Sequence, residues 1–202
     1  MKRIVVLGKT NVGKTLFLLN FSEYLGAKDF TVSIRRPGGA TNSEQLKFRE
    51  ARERLVGYHP HKTQARQEMD LEFPLGKGRQ LVKIVDTTGL TEAVHGQQQL
   101  RAAMADSLRA AREADIVLHL IDASMVFCKE SPEALGELDI QLARFARSKD
   151  GYVVLANKMD LPGSRRGLGR IREALGEEYI IPISALRKQG FREVRRFVAG
   201  RV

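Results

Sequence analysis

The segment that most constrains the fold is Gly8–Thr15, which reads GKTNVGKT and matches the pattern G-x-x-x-x-G-K-[ST]. It follows a short apolar run over Arg3–Leu7, predicted as a buried strand, and leads into apolar residues at helical spacing over Lys14–Leu25. A loop between a strand and a helix is the context that this pattern requires. Its glycines let the backbone curl around an anion, and the positive end of the helix adds to the attraction. The segment therefore predicts a phosphate-binding loop.

Two motifs assign roles around a phosphate chain bound in this loop. Backbone N–H groups would point at the phosphates, and they belong to Asn11, Val12, Gly13, Lys14, Thr15 and Leu16. The Lys14 ammonium would reach the β- and γ-phosphates, and the Thr15 hydroxyl would coordinate Mg²⁺. Further along, Asp86-Thr87-Thr88-Gly89 closes a predicted strand. Asp86 would hold Mg²⁺, usually through a water, and the Gly89 amide would contact the γ-phosphate.

A third motif, Asn157–Asp160 (NKMD), follows the apolar strand predicted over Tyr152–Ala156 and selects the base. The Asp160 carboxylate can accept two hydrogen bonds, from N1–H and the 2-amino group of guanine. Adenine lacks this donor pair and would leave a buried carboxylate unpaired. Asn157 can hold the loop and contact the base, and the Lys158 stem can lie over the ring. A backbone N–H to the guanine carbonyl would come from the segment after the last predicted strand, Ser184, Ala185 and Leu186.

Strands alternate with helices along most of the chain, which predicts a three-layer α/β fold with a mainly parallel sheet between helices. The extended stretches Met69–Leu75 and Arg79–Val85 flank Gly76-Lys77-Gly78, a pattern typical of a β-hairpin. The hairpin would add one antiparallel edge strand to a six-stranded sheet. With 202 residues and no long linker, the chain is predicted to form a single domain over 1–202.

The motifs GKTNVGKT, DTTG, NKMD and SAL, in this order, resemble the G1, G3, G4 and G5 motifs of the translation-factor-related GTPases. Their spacing and the NVGK core over Asn11–Lys14 are most similar to the bacterial Era-like branch. The resemblance spans residues 3–198 and implies an isolated P-loop G domain that binds GTP and GDP. It also implies hydrolysis of GTP to GDP and phosphate with Mg²⁺, and action as a molecular switch.

The resemblance is weakest between the first helix and the hairpin. Members of this class carry a catalytically important threonine that closes over Mg²⁺ and the γ-phosphate. Thr63 is our choice because it lies shortly before the hairpin, and Thr41 is the second choice. The switch region that contains them, 27–66, is longer than the family suggests. Within it, Ser43–Val56 predicts an inserted charged helix, capped by Ser43 or Asn42, that either binds a partner or packs locally.

The residue after Gly89 sets the expected rate. Ras-like enzymes place a glutamine there to orient the attacking water, whereas Leu90 has neither donor nor acceptor, as in many Era-like proteins. Slow intrinsic turnover is predicted unless K⁺, a partner or a second copy of the G domain in a nucleotide-dependent homodimer assists. Asn11 matches the asparagine that ligates K⁺ in potassium-stimulated members, and it either does so here or only braces the loop. A non-hydrolysing GTP/GDP-gated adaptor is the alternative function.

The charge of the chain points to a second kind of partner. Lys plus Arg outnumber Asp plus Glu by 34 to 24, a net charge of +10, which favours contact with RNA, the ribosome or an acidic surface. The excess is concentrated in Arg165, Arg166, Arg170, Arg172, Arg187, Lys188, Arg192, Arg195, Arg196 and Arg201. These residues form either a solvated basic face on two helices or a polyanion site.

Cysteine and histidine usage excludes several other classes of site. Cys128 is the single cysteine, so no intramolecular disulfide can form, which fits a reducing cytoplasm. The four histidines show no metal-ligand spacing with Cys128, and His119, in a predicted strand, is expected to be a packed core residue. The apolar run before Gly8 is too short for a signal peptide or a transmembrane segment.

Overall fold

The computed structural model describes residues 2–27, 29–35, 41–47, 50, 66–75, 78–86, 105, 107–128, 135–176 and 179–202. Its strands are β1 (Lys2–Leu7), β2 (Asp29–Arg35), β3 (Thr41–Lys47), β4 (Arg66–Leu75), β5 (Gly78–Asp86), β6 (Ile116–Asp122), β7 (Tyr152–Asn157) and β8 (Ile180–Pro182). Its helices are α1 (Lys14–Tyr24), α2 (Ala123–Cys128), α3 (Glu137–Ala146), α4 (Ser164–Leu175) and α5 (Phe191–Ala199), and residues 107–113 are also helical.

The strands form one sheet in the order β3-β2-β4-β5-β1-β6-β7-β8. The five strands from β5 to β8 in this order run parallel, which confirms the predicted α/β fold with a parallel sheet. Because parallel strands end at the same edge of a sheet, the carboxyl ends of β1, β5, β6 and β7 lie together there. Three of these strand ends lie at or next to the motifs identified in the sequence.

The predicted hairpin is present, but the predicted six strands and single antiparallel edge strand are wrong. β4 pairs antiparallel with β5, from Leu75 opposite Gly78 to Gln67 opposite Asp86. β4 does not lie at the edge, because β2 pairs antiparallel with β4 and β3 pairs antiparallel with β2. Within the described residues the sheet has eight strands, because the segment before the hairpin contributes two strands of its own.

The helix predicted over Ser43–Val56 is wrong in its first part, where Thr41–Lys47 forms β3. Glutamate, glutamine and lysine have high intrinsic helix propensity, but pairing with β2 along the whole of β3 overrides it. The signal that was overlooked lies in β2, where Phe30, Val32 and Ile34 alternate with polar residues at the period of a strand.

The two candidate switch threonines differ in what the structure describes. Thr41, the second choice, is the first residue of β3 and pairs with Arg35. Thr63 lies outside the described residues, as do Gly89 and Leu90. Their assigned roles therefore remain predictions.

Helices cover both faces of the sheet and bury aromatic and aliphatic side chains against it. On one face, Phe17 and Phe21 of α1 stack at 5.2 Å between ring centroids, and Phe191 of α5 meets them edge-on at 5.5 and 5.4 Å. On the other face, α3 and α4 bury Leu142 and Ile171. Fully burying a side chain of this size stabilises the fold by about 1.5–3 kcal/mol, and this packing fixes the strands whose ends carry the motifs.

The same arrangement divides the basic residues near the C-terminus. α4 packs in the hydrophobic core on one face of the sheet, whereas α5 packs in the core on the other face. The arginines of the two helices are separated in the same way. β8, the edge strand of the sheet, runs between the two helices in the chain. The predicted single basic face is therefore two basic helices on opposite faces of the sheet, next to the β8 edge.

Candidate functional site

The loop between β1 and α1 has a backbone that few residues can adopt. Gly8, Asn11 and Gly13 have φ values of 142°, 62° and 96°, which glycine adopts without strain and asparagine tolerates in the left-handed region. A Cβ atom on Gly8 would lie 2.3 Å from the carbonyl oxygen of Leu120 in β6, so a larger residue does not fit. At the other end, the Phe17 N–H donates to the Gly13 carbonyl at 2.8 Å as α1 begins.

Lys14 lies buried across this loop. Its ammonium donates hydrogen bonds to the carbonyl oxygens of Gly8 at 3.1 Å and of Lys9 at 2.9 Å. The side chain is thus held over the concave side of the loop by backbone oxygens that carry no net charge. An anion bound in the loop would be a stronger partner for the ammonium than these carbonyls.

The side chain of Asn157 connects the NKMD and SAL segments to the phosphate loop. It is buried, its Nδ2 donates to the Val12 carbonyl at 2.7 Å, and its Oδ1 accepts from the Ala185 N–H at 2.9 Å. A Cβ atom on Gly13 would lie 2.7 Å from Asn157 Nδ2, so this contact also requires glycine at 13. The structure therefore brings the GKTNVGKT, NKMD and SAL segments into direct contact.

A buried hydroxyl orients Asp160. The Ser184 Oγ–H donates to Asp160 Oδ1 at 2.6 Å, and Ser184 Oγ accepts from the Arg187 N–H at 3.0 Å. Sequence reasoning assigned only the backbone of Ser184 and did not identify this role of its side chain. A serine directly after a predicted strand that faces the NKMD motif is the signal that could have suggested it.

The amides of the SAL segment are largely engaged within the protein. The Ser184 N–H donates to the Gln189 carbonyl at 3.2 Å, and the Ala185 N–H donates to Asn157. On the other side, the Ala185 carbonyl accepts from the buried Asn20 amide of α1 at 2.7 Å. Within the described residues, Leu186 is left as the member of this segment whose N–H has no hydrogen bond. Asn20 belongs to none of the motifs recognised in the sequence, so its contact with the SAL segment was not predicted.

Lys158 is held by an aspartate that the motifs did not identify. It has a left-handed φ of 65°, and its ammonium lies 2.6 Å from Asp122 Oδ2 at the end of β6. The other oxygen of Asp122 accepts from the N–H groups of Ser124 at 3.0 Å and Met125 at 3.2 Å, where α2 begins. An aspartate directly after an apolar strand and just before a helix is a capping pattern that could have been recognised.

Asn11 presents its side chain to solvent. It is exposed and makes no hydrogen bond within the described part of the chain. Next to it, between the loop, the end of β6, α2 and Lys158, lies a cavity of about 330 Å³.

Two candidate Mg²⁺ ligands come from β5 and from α1, the helix that follows the phosphate loop. Asp86 is the last residue of β5 and stands in register with Val6 of β1, two residues before Gly8. Thr15 lies in the first turn of α1, which follows the same loop. A carboxylate and a hydroxyl are oxygen donors of the kind that Mg²⁺ prefers.

The described residues show no further candidate metal site and no candidate membrane span. They contain no group of three or more His, Cys, Asp or Glu side chains arranged to bind a metal ion. His119 is fully buried, as expected of a packed core residue. No helix among the described residues is both long and apolar enough to cross a membrane.

A parallel sheet with this phosphate-loop pattern after β1, fastened to an Asn-Lys-x-Asp motif after β7, defines a P-loop domain of the guanine-nucleotide-binding class. The chain belongs to the family described as 50S ribosome-binding GTPase, whose match covers residues 3–158. This confirms the resemblance to bacterial small GTPases, and the chain is a P-loop GTPase domain. Asp160 and the SAL segment lie beyond the matched residues, so their assignment rests on the contacts described above.

Curated relatives and solved structures agree with this family. GTPase Obg of Shouchella clausii is 32% identical over 125 residues, which are 60% of this chain and 28% of that protein. GTPase Obg of Heliobacterium modesticaldum is 34% identical over 119 residues, 57% of this chain and 26% of that protein. An Aquifex aeolicus Era variant bound to GDP·AlF4⁻ superposes with a TM-score of 0.60 at 23% identity, over 100% of this chain and 57% of Era.

These matches cover only part of each relative, which limits the properties of the relatives that apply to this chain. The chain spans about a quarter of the length of the two Obg proteins and little more than half of Era. At 23% identity, the similarity to Era shows the fold alone. What the longer relatives bind or assemble with is therefore not carried over by similarity.

Proposed function

We propose that this domain binds GTP and GDP with Mg²⁺ and hydrolyses GTP slowly to GDP and phosphate, as a molecular switch. The observation that carries the proposal is the position of Asn157, which holds the phosphate loop and the SAL segment on either side of Asp160. A base that donates hydrogen bonds to Asp160 would then lie close to the phosphates that the loop binds. These hydrogen bonds fix the three segments relative to one another, and such preorganisation lowers the cost of binding.

The proposed roles follow from the chemistry of each group. The backbone amides from Asn11 to Leu16 surround the β-phosphate, and Lys14 moves its ammonium from two carbonyls to the β- and γ-phosphates. Thr15, Asp86 and Thr63 hold Mg²⁺, which neutralises charge on the phosphates when it is bound. The Gly89 amide contacts the γ-phosphate, so that Thr63 and Gly89 order around GTP and relax around GDP.

Guanine selection is assigned to the other two segments. The carboxylate of Asp160, oriented by Ser184, accepts from guanine N1–H and the 2-amino group. The stem of Lys158, whose ammonium is anchored on Asp122, lies over the ring. Leu186 donates its N–H to the guanine carbonyl, because the other two amides of the SAL segment are engaged.

The rate of hydrolysis is the first property to test. Leu90 cannot orient water, so we propose that K⁺, held by the exposed amide oxygen of Asn11, supplies positive charge beside the phosphates. Phosphate release measured in K⁺ should exceed that in Na⁺ by about tenfold, which corresponds to about 1.4 kcal/mol of barrier. Asn11→Gly removes the amide, keeps the left-handed φ without strain, and should abolish the stimulation by K⁺.

Two controls show whether a change in rate comes from the amide oxygen at position 11. GDP affinity of the Asn11→Gly variant in Na⁺ shows whether the loop still binds nucleotide, and Asn11→Asp tests whether an oxygen at this position is sufficient. Equal rates in the two salts would remove K⁺ from the account. Absence of phosphate release in both salts, with GTP still bound, would establish the GTP/GDP-gated adaptor instead. Gel filtration with a GTP analogue would show whether a homodimer forms under the same conditions.

A second candidate function is binding of RNA through α4. This helix carries the exposed arginines Arg165, Arg166, Arg170 and Arg172 against the single acidic residue Glu173. A helix surface with this excess of positive charge attracts polyanions such as RNA. One solved structure of Era, which shares the fold, contains nucleotides 1506–1542 of 16S ribosomal RNA, and that contact is a property of Era.

The salt dependence of RNA binding tests this second function. Each phosphate contact contributes about 0.7 to the slope of log K against log salt for a single strand. The variant Arg165→Ala/Arg172→Ala should therefore reduce the slope by roughly 1.4 and weaken binding at low salt. The pair Arg195→Ala/Arg196→Ala on α5 is the matched control, since it removes the same charge from the opposite face of the sheet. Equal losses from both pairs, or none from the α4 pair, would exclude α4 as the binding surface.

A further inference from the structure

A chain of four polar side chains runs from the phosphate loop into the core. Lys9, the second residue of the loop, places its ammonium 3.2 Å from Asp139 Oδ2. The Nε2–H of His119 donates to Asp139 Oδ1 at 3.1 Å, and His119 Nδ1 lies 3.0 Å from the hydroxyl of Tyr152. None of these side chains has a role in the nucleotide site as proposed so far.

The four residues belong to four different elements. Lys9 lies in the loop, Asp139 in the first turn of α3, His119 in β6 and Tyr152 at the start of β7. His119 stands in register with Leu7, the residue directly before Gly8. The chain of contacts therefore crosses from the loop to α3 and returns to the strands that support the loop.

Burial makes these contacts costly to break. The side chains of His119 and Asp139 are only 0% and 4% exposed, and that of Lys9 is 20% exposed. Burial raises the pKa of Asp139, but the hydrogen bond from His119 and the charges of His119 and Lys9 outweigh it and hold the pKa below the usual aspartate value. Asp139 is thus an ionised, buried carboxylate. Removing this carboxylate leaves the Lys9 ammonium uncompensated, and removing the ammonium leaves the carboxylate uncompensated.

We propose that Asp139 is a positioning residue of the nucleotide site, which holds the first half of the phosphate loop through Lys9 and so sets the rate of nucleotide release. This inference rests on the proposed function, because it concerns the same loop. In this proposal Asp139 acts through the ammonium of Lys9, the residue next to Gly8, and not through a contact of its own with the nucleotide. The position of α3 is thereby coupled to the loop, so that a shift of this helix changes nucleotide release.

Two substitutions separate positioning from a charge effect on the phosphates. Asp139→Asn raises the net charge near the loop by one, whereas Lys9→Met lowers it by one. If the pair acted through its field on the phosphates, the two variants would change nucleotide release in opposite directions. If the pair positions the loop, both variants release nucleotide faster, and the double variant is no faster than the faster single one.

The experiment measures dissociation of a fluorescent GDP analogue from the wild type, both single variants and the double variant, with thermal unfolding alongside. We expect release to be roughly tenfold faster in both single variants, a change equivalent to about 1.4 kcal/mol. Leu142→Ala is the control for stability, because Leu142 is buried on the same helix and its apolar side chain cannot form an ion pair with Lys9. This variant should unfold at a lower temperature and release GDP at the rate of the wild type.

Opposite changes in the two single variants would overturn the proposal in favour of a charge effect. Unchanged release in both, or equally faster release in Leu142→Ala, would reduce Asp139 to a structural role. Hydrogen exchange of the amides over 8–13 in the free protein adds a readout that needs no nucleotide, and both single variants should exchange faster there. If the wild type binds no guanine nucleotide, the proposed function fails, while the exchange experiment still reports whether Asp139 holds the loop.

Discussion

Replacing Lys14 with alanine is expected to weaken binding of GDP and GTP by a factor of about 100. The ammonium contributes charge-assisted hydrogen bonds to the phosphates, each worth about 1.5–3 kcal/mol, and a factor of 100 corresponds to about 2.7 kcal/mol. The hydrogen bonds of the ammonium to the carbonyls of Gly8 and Lys9 are made to uncharged acceptors, so we expect the complex to depend on it more than the fold does. Fluorescence titration of a labelled GDP measures the change.

Lys149 provides a matched control for this substitution. Its ammonium also donates to two backbone carbonyls, those of Arg112 at 2.9 Å and Ala114 at 2.8 Å, but it lies away from the phosphate loop. Lys149→Ala should therefore lose a comparable set of contacts and keep the affinity for GDP. Similar affinities of the Lys14→Ala variant and the wild type would show that the phosphates bind elsewhere.

The second large effect concerns the base. Asp160→Asn should weaken GDP binding by about 100-fold and allow xanthosine diphosphate to bind more tightly than GDP. Asparagine offers one acceptor and one donor where aspartate offers two acceptors, which mismatches the 2-amino group of guanine and matches the 2-oxo group of xanthine. The hydroxyl of Ser184 can still donate to the remaining oxygen, so the side chain keeps its orientation. Competition of both nucleotides against a labelled analogue measures the exchange of preference.

Asp150→Asn is the control for this change of charge. Asp150 is almost fully exposed and pairs with Arg201 at 3.5 Å, and it lies before the start of β7, whereas the NKMD motif begins at the last residue of that strand. The same loss of one negative charge there should leave the preference for guanine intact. An Asp160→Asn variant that still prefers GDP to the xanthine nucleotide would mean that Asp160 does not contact the base.

The parts of the site that sequence could predict are those whose chemistry is local. Gly8–Thr15 needs a particular backbone, and the steric limits at Gly8 and Gly13 show why the two glycines are required. Asn157 and Asp160 each carry a side chain whose hydrogen-bonding groups define the partner. Because such patterns depend on neighbouring residues, they can be recognised without knowing which strands pair.

The parts that sequence could not predict depend on contacts between distant segments. β3 has the composition of a helix, and only its pairing with β2 makes it a strand. Ser184 reaches Asp160 across 24 positions of the chain, and Asp139 reaches His119 across 20. No periodicity or spacing encodes these pairs, since each arises from the order of the strands in the sheet.

The central claim, that this chain binds guanine nucleotides, is tested most directly by calorimetric titration of the unmodified protein with GDP and with ADP, in Mg²⁺. The account predicts that GDP binds at least about 100-fold more tightly than ADP, because adenine would leave the Asp160 carboxylate without its two donors. Equal affinities for the two nucleotides, or tighter binding of ADP, would contradict it.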